Sequence, residues 1–396
     1  MKLTRRFLVI TYVIFLAALV EGASYLGLLV LAAKGMTYQP VFSAPLPSET
    51  ITVLEQIASH KSDYEVFDQD LGWALAPSTR SDDGQYSSTR LGSRTTARDP
   101  TTQGDAELRI AAYGDSYVHG DEVADAETWE FVLERTHPSW SVINYGVGAY
   151  GPDQAFLRYQ RTRGDPKADL VVIGYMPENL QRVTNVFRPF YYGTTWPFSK
   201  PRFKLSQNGL VLLPNPLRLD DYRRLLDSPG EMLQKLGRDD WYFSNLPHKS
   251  DFDFLAAVRF AKLAWNELHR EKMILPNGLY NTKSEAYRLA SKILQQFAAE
   301  VARHQQTPIV VIFPTREDVW RANHGRVVTY SPLVEELVSA GVCVVDLKGA
   351  FAEARTKKAL SQAFRVQHYS PFGNELVASF LGPRLLQLGR THECPK

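Results

Sequence analysis

The chain is short of the residues that mark metal centres and nucleic-acid surfaces. It has only two cysteines in 396 residues. Cys343 lies inside an apolar run and Cys394 in the polar carboxyl-terminal tail, so no metal site is indicated, and a disulfide between the two is left open. Charge of one sign is also missing: 45 Lys and Arg stand against 43 Asp and Glu. No basic block or arginine-rich helix stands out, which argues against nucleic acid as a partner. With 44% hydrophobic and 22% charged residues the composition is ordinary globular material, long enough for one large decorated domain or two.

One long apolar stretch does occur, at the amino end. Lys2, Arg5 and Arg6 precede the run 7–20, and after Glu21-Gly22-Ala23-Ser24 the apolar character resumes over 25–33. No clean small-x-small cleavage site precedes an evident mature start, and the whole segment is long enough to span. Residues 1–35 are therefore expected to be an uncleaved membrane anchor. Basic residues flank its amino side and only Lys34 the other, which leaves the amino end cytoplasmic and the rest outside. Glu21 sits badly in such a helix, since an acid near mid-membrane costs about 2.5–3.5 kcal/mol on insertion scales. It marks either a contact with another membrane protein or a tolerated charge.

Residues 36–105 are rich in Ser, Thr, Pro, Asp and Arg and read as a partly ordered stalk, with Phe67, Leu71, Trp73 and Leu75 able to pack onto a domain. From Leu108 the pattern changes. Apolar runs at 110–113, 142–145, 170–175, 309–313 and 342–345 are short, rich in Val and Ile, and bounded by Gly, Pro or Asp, as buried parallel strands are. Helical patterns alternate with them. Thr282 and Glu285 form a capping box ahead of Ala290, Leu294, Phe297 and Val301, and Ser331-Pro332 opens another helix closed by Gly341. Strand, helix, strand repeated in this way predicts a doubly wound parallel sheet over 106–390, with ligands beyond the carboxyl ends of its strands.

A stretch of about a hundred residues, roughly 186–283, interrupts that alternation after the third strand and is too long for a bare loop. It carries a hairpin over 202–213 turning at Asn208-Gly209, and an amphipathic helix over 252–269 with Phe254, Val258, Ala261, Trp265 and Leu268 on one stripe. It leaves directly after Asn179 and so should roof the carboxyl edge of the sheet. Its aromatics, Tyr191, Trp196, Phe198, Trp241 and Tyr242 among them, either stack on sugar rings or form the core of a small subdomain.

The chemistry begins at the end of the first strand, where Gly114-Asp115-Ser116 follows the apolar run at once. A hydroxyl on a turn tight enough to need glycine, at the carboxyl end of a buried strand, is where an α/β sheet can display a nucleophile. Three further blocks follow in order. Asn144-Tyr145-Gly146 closes the second run, Glu178-Asn179 follows the third, and His368-Tyr369-Ser370-Pro371 precedes a carboxyl-terminal helix. In order and setting these four blocks resemble the SGNH/GDSL hydrolases, a family named for a Ser, a Gly, an Asn and a His on separate blocks. The resemblance covers roughly 106–390.

It implies a flavodoxin-like sheet with Ser116 as nucleophile and His368 as its base. His119, three residues after Ser116, is a rival base that would otherwise cap or pack. It also implies an oxyanion hole made by the Ser116 amide, an amide of the second block and the Asn179 side chain. The second-block position aligns with Ala149 where the family usually has glycine, and Gly148 is the neighbouring alternative. Asn185 is a substitute for Asn179, and Asp115 should hydrogen-bond its own turn. The largest departure is at the acid. The family usually places an aspartate three residues before the histidine, and here that residue is Arg365. The expectation is a Ser–His dyad oriented by a backbone carbonyl, with Asp346 and Asp318 as structural carboxylates.

The implied activity is a membrane-anchored, extracytoplasmic serine esterase acting on O-acetyl groups of a cell-envelope or secreted polysaccharide, with no cofactor and with envelope polysaccharide machinery as a possible partner. An O-acyltransferase using the same acyl-serine, and a glycan-binding or assembly protein that has lost the acid, are the competing readings.

Overall fold

Val- and Ile-rich runs become strands because β-branched side chains pack well on a pleated surface and both faces of this sheet are covered. The computed structural model describes residues 2–59, 63–99, 106–164, 166–192, 196–354 and 356–395. Its strands in chain order are β1 (Glu65–Asp68), β2 (Gly72–Leu75), β3 (Leu108–Tyr113), β4 (Trp140–Asn144), β5 (Leu170–Tyr175), β6 (Arg202–Ser206), β7 (Gly209–Leu213), β8 (Thr307–Ile312) and β9 (Val344–Asp346). The pairs β1–β2 and β6–β7 are separate antiparallel ribbons. The other five form one parallel sheet in the order β4-β3-β5-β8-β9. Counted among themselves they run 2-1-3-4-5, the flavodoxin order, whose switch point lies between β3 and β5.

The helices used below are α1 (Lys2–Ala33), α2 (Ser48–Ala58), α3 (Ser116–His119), α4 (Trp129–Thr136), α5 (Pro152–Thr162), α6 (Asn179–Arg182), α7 (Ala256–Met273), α8 (Glu285–Arg303) and α9 (Pro371–Thr391). Alternate strand residues feed two cores. Ala111, Ile143, Val171, Ile173 and Val310 meet Phe156 and Tyr159 of α5 and Leu289, Ile293 and Phe297 of α8. Ile110, Val142, Val172, Ile309 and Val311 meet Trp129 and Leu133 of α4 and Val377, Leu381 and Leu385 of α9. The doubly wound reading holds. Its details shift slightly: Ser284, not Thr282, caps α8 by accepting from Tyr287 N at 3.1 Å, and Glu285 instead pairs with Arg202. The β6–β7 hairpin turns at Gln207-Asn208, with Gly209 (φ 109°) already in register opposite Ser206.

The expected stalk is not one over its described residues. Val41, Phe42, Leu54, Tyr64, Leu71, Trp73 and Leu75 are buried in a third core, together with Val147 and Tyr150 behind β4 and with Phe187, Phe198, Leu217 and Tyr222 from the segment between β5 and α8. Its polar composition conceals apolar residues spaced so as to fill a partner surface. The two cysteines are joined, Cys343 to Cys394, which pins the carboxyl-terminal tail beside β9.

At the other end α1 is apolar enough to cross a membrane from Arg5 to Ala33. Its second half lies along α7. The helix expected over 252–269 starts at Ala256, which leaves Phe254, 75% exposed, in the loop before it; of the stripe read from the sequence, Val258 is half-buried while Trp265 and Leu268 are each 55% exposed.

Candidate active site

Ser116 is presented by a turn that leaves no room for side chains. A methyl group on Gly114 would meet Val118 Cγ2 at 2.5 Å, and one on Gly146 would meet His119 N at 2.3 Å, so the β4 loop lies directly on α3. Asp115 caps that short helix, accepting from Tyr117 N at 2.8 Å, as its place in the turn predicted. Asn144 Nδ2 donates to Val118 O at 2.8 Å and fixes the second block to the first. Gly120, at φ 81°, then reverses the chain.

His368 arrives from the far end of the sequence, on the turn before α9 that Arg365 N closes by donating to His368 O at 2.8 Å. Its Nε2 lies 2.8 Å from Ser116 Oγ. Its Nδ1 lies 3.1 Å from Glu122 Oε1. A carboxylate only accepts, so the proton sits on Nδ1 and Nε2 is free to take the serine proton. A carboxylate does therefore stand beside His368: it is Glu122, six residues after Ser116, and the hydrogen-bonded arrangement is Ser–His–Glu where a backbone carbonyl was expected. Glu122 also accepts from Gln367 N at 3.2 Å, tying the histidine loop to the serine turn.

Glu122 holds φ at 68°, a left-handed conformation unusual outside glycine. The loop is clamped there by residues from the supposed stalk. Tyr86 OH accepts from Glu122 N at 2.9 Å. The buried Arg94 donates to the carbonyls of His119, Gly120 and Val123 at 2.5–2.6 Å. The other carboxylates are occupied elsewhere. Asp346 accepts from Tyr330 OH at 3.0 Å and Lys348 Nζ at 2.7 Å. Asp318 accepts from Thr315 Oγ1 at 2.6 Å and Thr329 Oγ1 at 3.1 Å. Arg365 is exposed. His119 is 2% exposed with both nitrogens engaged, Nδ1 with Asp121 at 2.5 Å and Nε2 with Tyr64 OH at 2.9 Å. Burial pulls it below the usual imidazole range, toward the neutral form.

The oxyanion candidates lie on either side of Asp115 and the turn. Ala149 has φ 61° in a β-turn closed by Tyr150 N to Val147 O at 3.3 Å, so alanine occupies a position that favours glycine. Trp73 Nε1 donates to Gly148 O at 3.0 Å. In a trans peptide that aims the Ala149 N–H to the opposite side, away from the indole. Asn179 Nδ2 donates to Asp115 Oδ2 at 2.7 Å, leaving its second N–H for another acceptor. Arg182 Nη1 bridges Asn179 Oδ1 at 3.3 Å and Tyr150 O at 2.8 Å, joining the second and third blocks. Burial raises the Asp115 carboxyl above its usual range, opposed by the Arg182 guanidinium 3.8 Å away. Asn185 is used structurally, donating to Phe187 O and Asp240 Oδ2 at 2.8 Å each.

Beside this turn opens a cavity of about 340 Å³ whose walls include Tyr64, Tyr86, Trp196, Glu65, Asp121 and Ala149. Burial holds the Glu65 carboxyl well above its ordinary range, reinforced by the neighbouring charge of Asp121. Of the other aromatics from the segment after β5, Phe198 and Tyr242 are core residues, 4% and 2% exposed. Among the described residues no group of three or more His, Cys, Asp or Glu is placed to hold a metal ion. Glu122, Arg94 and Tyr86 went unrecognised in the sequence, and Trp73 was read only as a packing residue. The one available signal was the acidic pair Asp121-Glu122, five and six residues after Ser116.

Fold and site together define a class of arrangement: a hydrogen-bonded serine, histidine and carboxylate at the switch point of a parallel sheet, competent for acyl transfer. No family model and no curated protein matches the chain. Among solved structures it is similar to a member of the lipolytic protein G-D-S-L family from Veillonella parvula, at 11% identity and TM-score 0.33 over 71% of this chain and 99% of that one. An acetylxylan esterase from Geobacillus stearothermophilus is similar at 13% identity and TM-score 0.34, over 71% and 95%. An α/β hydrolase from the metagenome of Lake Arreo, Spain, is similar at 14% identity and TM-score 0.34, over 70% and 95%.

Proposed function

We propose that this protein is a serine esterase of the SGNH/GDSL type that removes short acyl groups, O-acetyl above all, from a polysaccharide outside the cytoplasm. The observation that carries the reading is the continuous hydrogen-bond chain from Ser116 Oγ through His368 to Glu122, at 2.8 and 3.1 Å. In this reading His368 Nε2 takes the Ser116 proton as Oγ attacks the acyl carbon, and Glu122 stabilises the imidazolium. The amides of Ser116 and Ala149 and the spare N–H of Asn179 receive the developing oxyanion. His368 then returns the proton to the departing sugar oxygen, and water, deprotonated by the same imidazole, releases the acid.

The proposed substrate class is supported by the cavity beside Ala149. Rings of Tyr64, Tyr86 and Trp196 with the carboxyl groups of Glu65 and Asp121 offer apolar faces and hydrogen-bonding groups of the kind a sugar ring presents in return. The location rests on the basic amino flank of α1 and on the Cys343–Cys394 disulfide, a bond that persists in oxidising compartments. The glycan-binding alternative drew its force from a missing acid, and Glu122 now stands in that place. The test is labelling of the full chain in detergent by a fluorophosphonate probe, with acetate release from acetylated xylan or alginate measured in parallel. Labelling and release should both vanish in Ser116→Ala. Labelling that persists in the alanine variant places the nucleophile elsewhere.

A further inference from the structure

We infer that α7, with the loop leading into it, is a second membrane contact: an amphipathic helix seated in the lipid interface beside α1. The inference rests on α1 being a membrane span and is independent of the catalytic reading. Its first support is an inversion of the usual burial. An amphipathic helix of a soluble domain turns its apolar stripe to the core. Here Trp265 and Leu268 of α7 are each 55% exposed, and Phe252 and Phe254 in the loop before it are 63% and 75% exposed.

The second support is continuity with the anchor. One stripe of α1, Glu21, Ser24, Gly27, Leu28 and Leu31, is half-buried where the helix lies along α7. The Glu21 carboxylate accepts from Ala256 N and, at 3.0 Å, from Ala257 N, so it caps the first turn of α7. Gly27 is the point of closest approach, since a methyl group there would come within 2.7 Å of the Phe260 ring. The acid that sits badly in a lone span is satisfied by the free amides of a second helix. Leu26, Leu29 and Val30, on the part of α1 turned away from α7, are 50–63% exposed, so apolar surface runs from one helix onto the other.

The third support is the pairing of polar groups where the loop meets α7. Asp253 accepts from Lys262 Nζ and from Tyr38 OH at 2.5 Å, holding the loop that carries Phe252 and Phe254 in place. Within α7 the exposed side chains include Ala261, Trp265 and Leu268, the pattern of an interfacial helix with tryptophan at the headgroup level.

The test uses the full chain in proteoliposomes of phosphatidylethanolamine and phosphatidylglycerol, with and without bromine on the acyl chains. Trp265 is one of seven tryptophans, and Trp73, Trp129 and Trp140 are 0–1% exposed. Wild-type protein should float with the vesicles and lose emission in the brominated lipid, and Trp265→Phe should float equally and lose most of that quenching. Flotation with equal quenching in both proteins, or with none in either, would leave the stripe to a second copy or a protein partner and overturns the inference. Failure to float overturns the anchor and this contact together.

Discussion

Replacing Glu122 by Gln isolates the contribution of the acid, because the change keeps shape and removes one charge. The carboxylate meets two kinds of donor, His368 Nδ1 at 3.1 Å and Gln367 N at 3.2 Å. Both of these reach Oε1, while Oε2 faces the backbone N–H groups of Gln367 at 3.3 Å and His368 at 3.5 Å, so an amide cannot turn an acceptor to every donor. With oxygen toward Nδ1 its NH₂ faces the backbone N–H, and with NH₂ toward Nδ1 the imidazole is driven into the tautomer that cannot accept the serine proton. The electrostatic part lies between limits. Unit charges about 4 Å apart interact by ~1 kcal/mol in water and ~4 kcal/mol at an effective dielectric constant near 20. The Glu122 side chain is 28% exposed and that of His368 14%, so ~2–3 kcal/mol is reasonable. At 1.36 kcal/mol per decade this is a fall in kcat of about 30- to 150-fold. That is less than the roughly ten-thousandfold cost at a fully buried aspartate. The measurement is kcat for a small aryl acetate with the full chain in detergent, the melting temperature serving as control and Glu122→Asp as a second variant. A kcat within threefold of wild type, with the fold intact, refutes the triad. Arg365→Asp should change kcat by less than about threefold, since the place beside Nδ1 is already filled; a clear gain would show the site to be short of a carboxylate.

Asn179→Ala should lower kcat about a hundredfold with KM nearly unchanged; a loss confined to KM would make Asn179 a ground-state contact. Cys343→Ser opens a link between residues 51 apart and should cost about 2–4 kcal/mol in denaturant unfolding, an unchanged midpoint being the adverse result. Glu130, fully buried, has its carboxyl held well above the ordinary 4.5 by burial. A folded-state value raised in this way gives a contribution that is complete below pH 4.5 and is lost as pH rises through the folded value. The melting temperature of Glu130→Gln should therefore gain on wild type from pH 4.5 to pH 8, and a constant difference would contradict the assignment.

The sheet, and the convergence of Ser116, His368 and Asn179 at its edge, were legible because each depends on local signals: β-branched runs, a glycine-dependent turn, residues directly following strands. Glu122 was not, because its role depends on a four-residue helix and a reversal at Gly120 that swing it back over its own nucleophile. Apart from Leu71, Trp73 and Leu75, the packing of the described residues of 36–99 was also hidden. Its partners lie far along the chain, as where Gln69 Nε2 donates to Leu217 O at 3.2 Å or where the Trp73 ring stacks on Phe198 at 5.8 Å. No periodicity within the segment reports such a surface. The same holds for α7, whose stripe was plain in the sequence while the side it faces was not.

The burial of Val41, Phe42, Leu54, Tyr64, Leu71, Trp73 and Leu75 means that the chain between α1 and the sheet has little slack to give. Val41 pairs with His248, α2 packs beside the residues after β7, and Trp73 holds the Gly148 carbonyl. A tethered enzyme on a loose leash sweeps a volume and can search for its bonds. Under the proposed function, with α1 as the anchor, the site would instead be held close to that anchor, and residues added near 36–47 would loosen the core before they lengthened its reach.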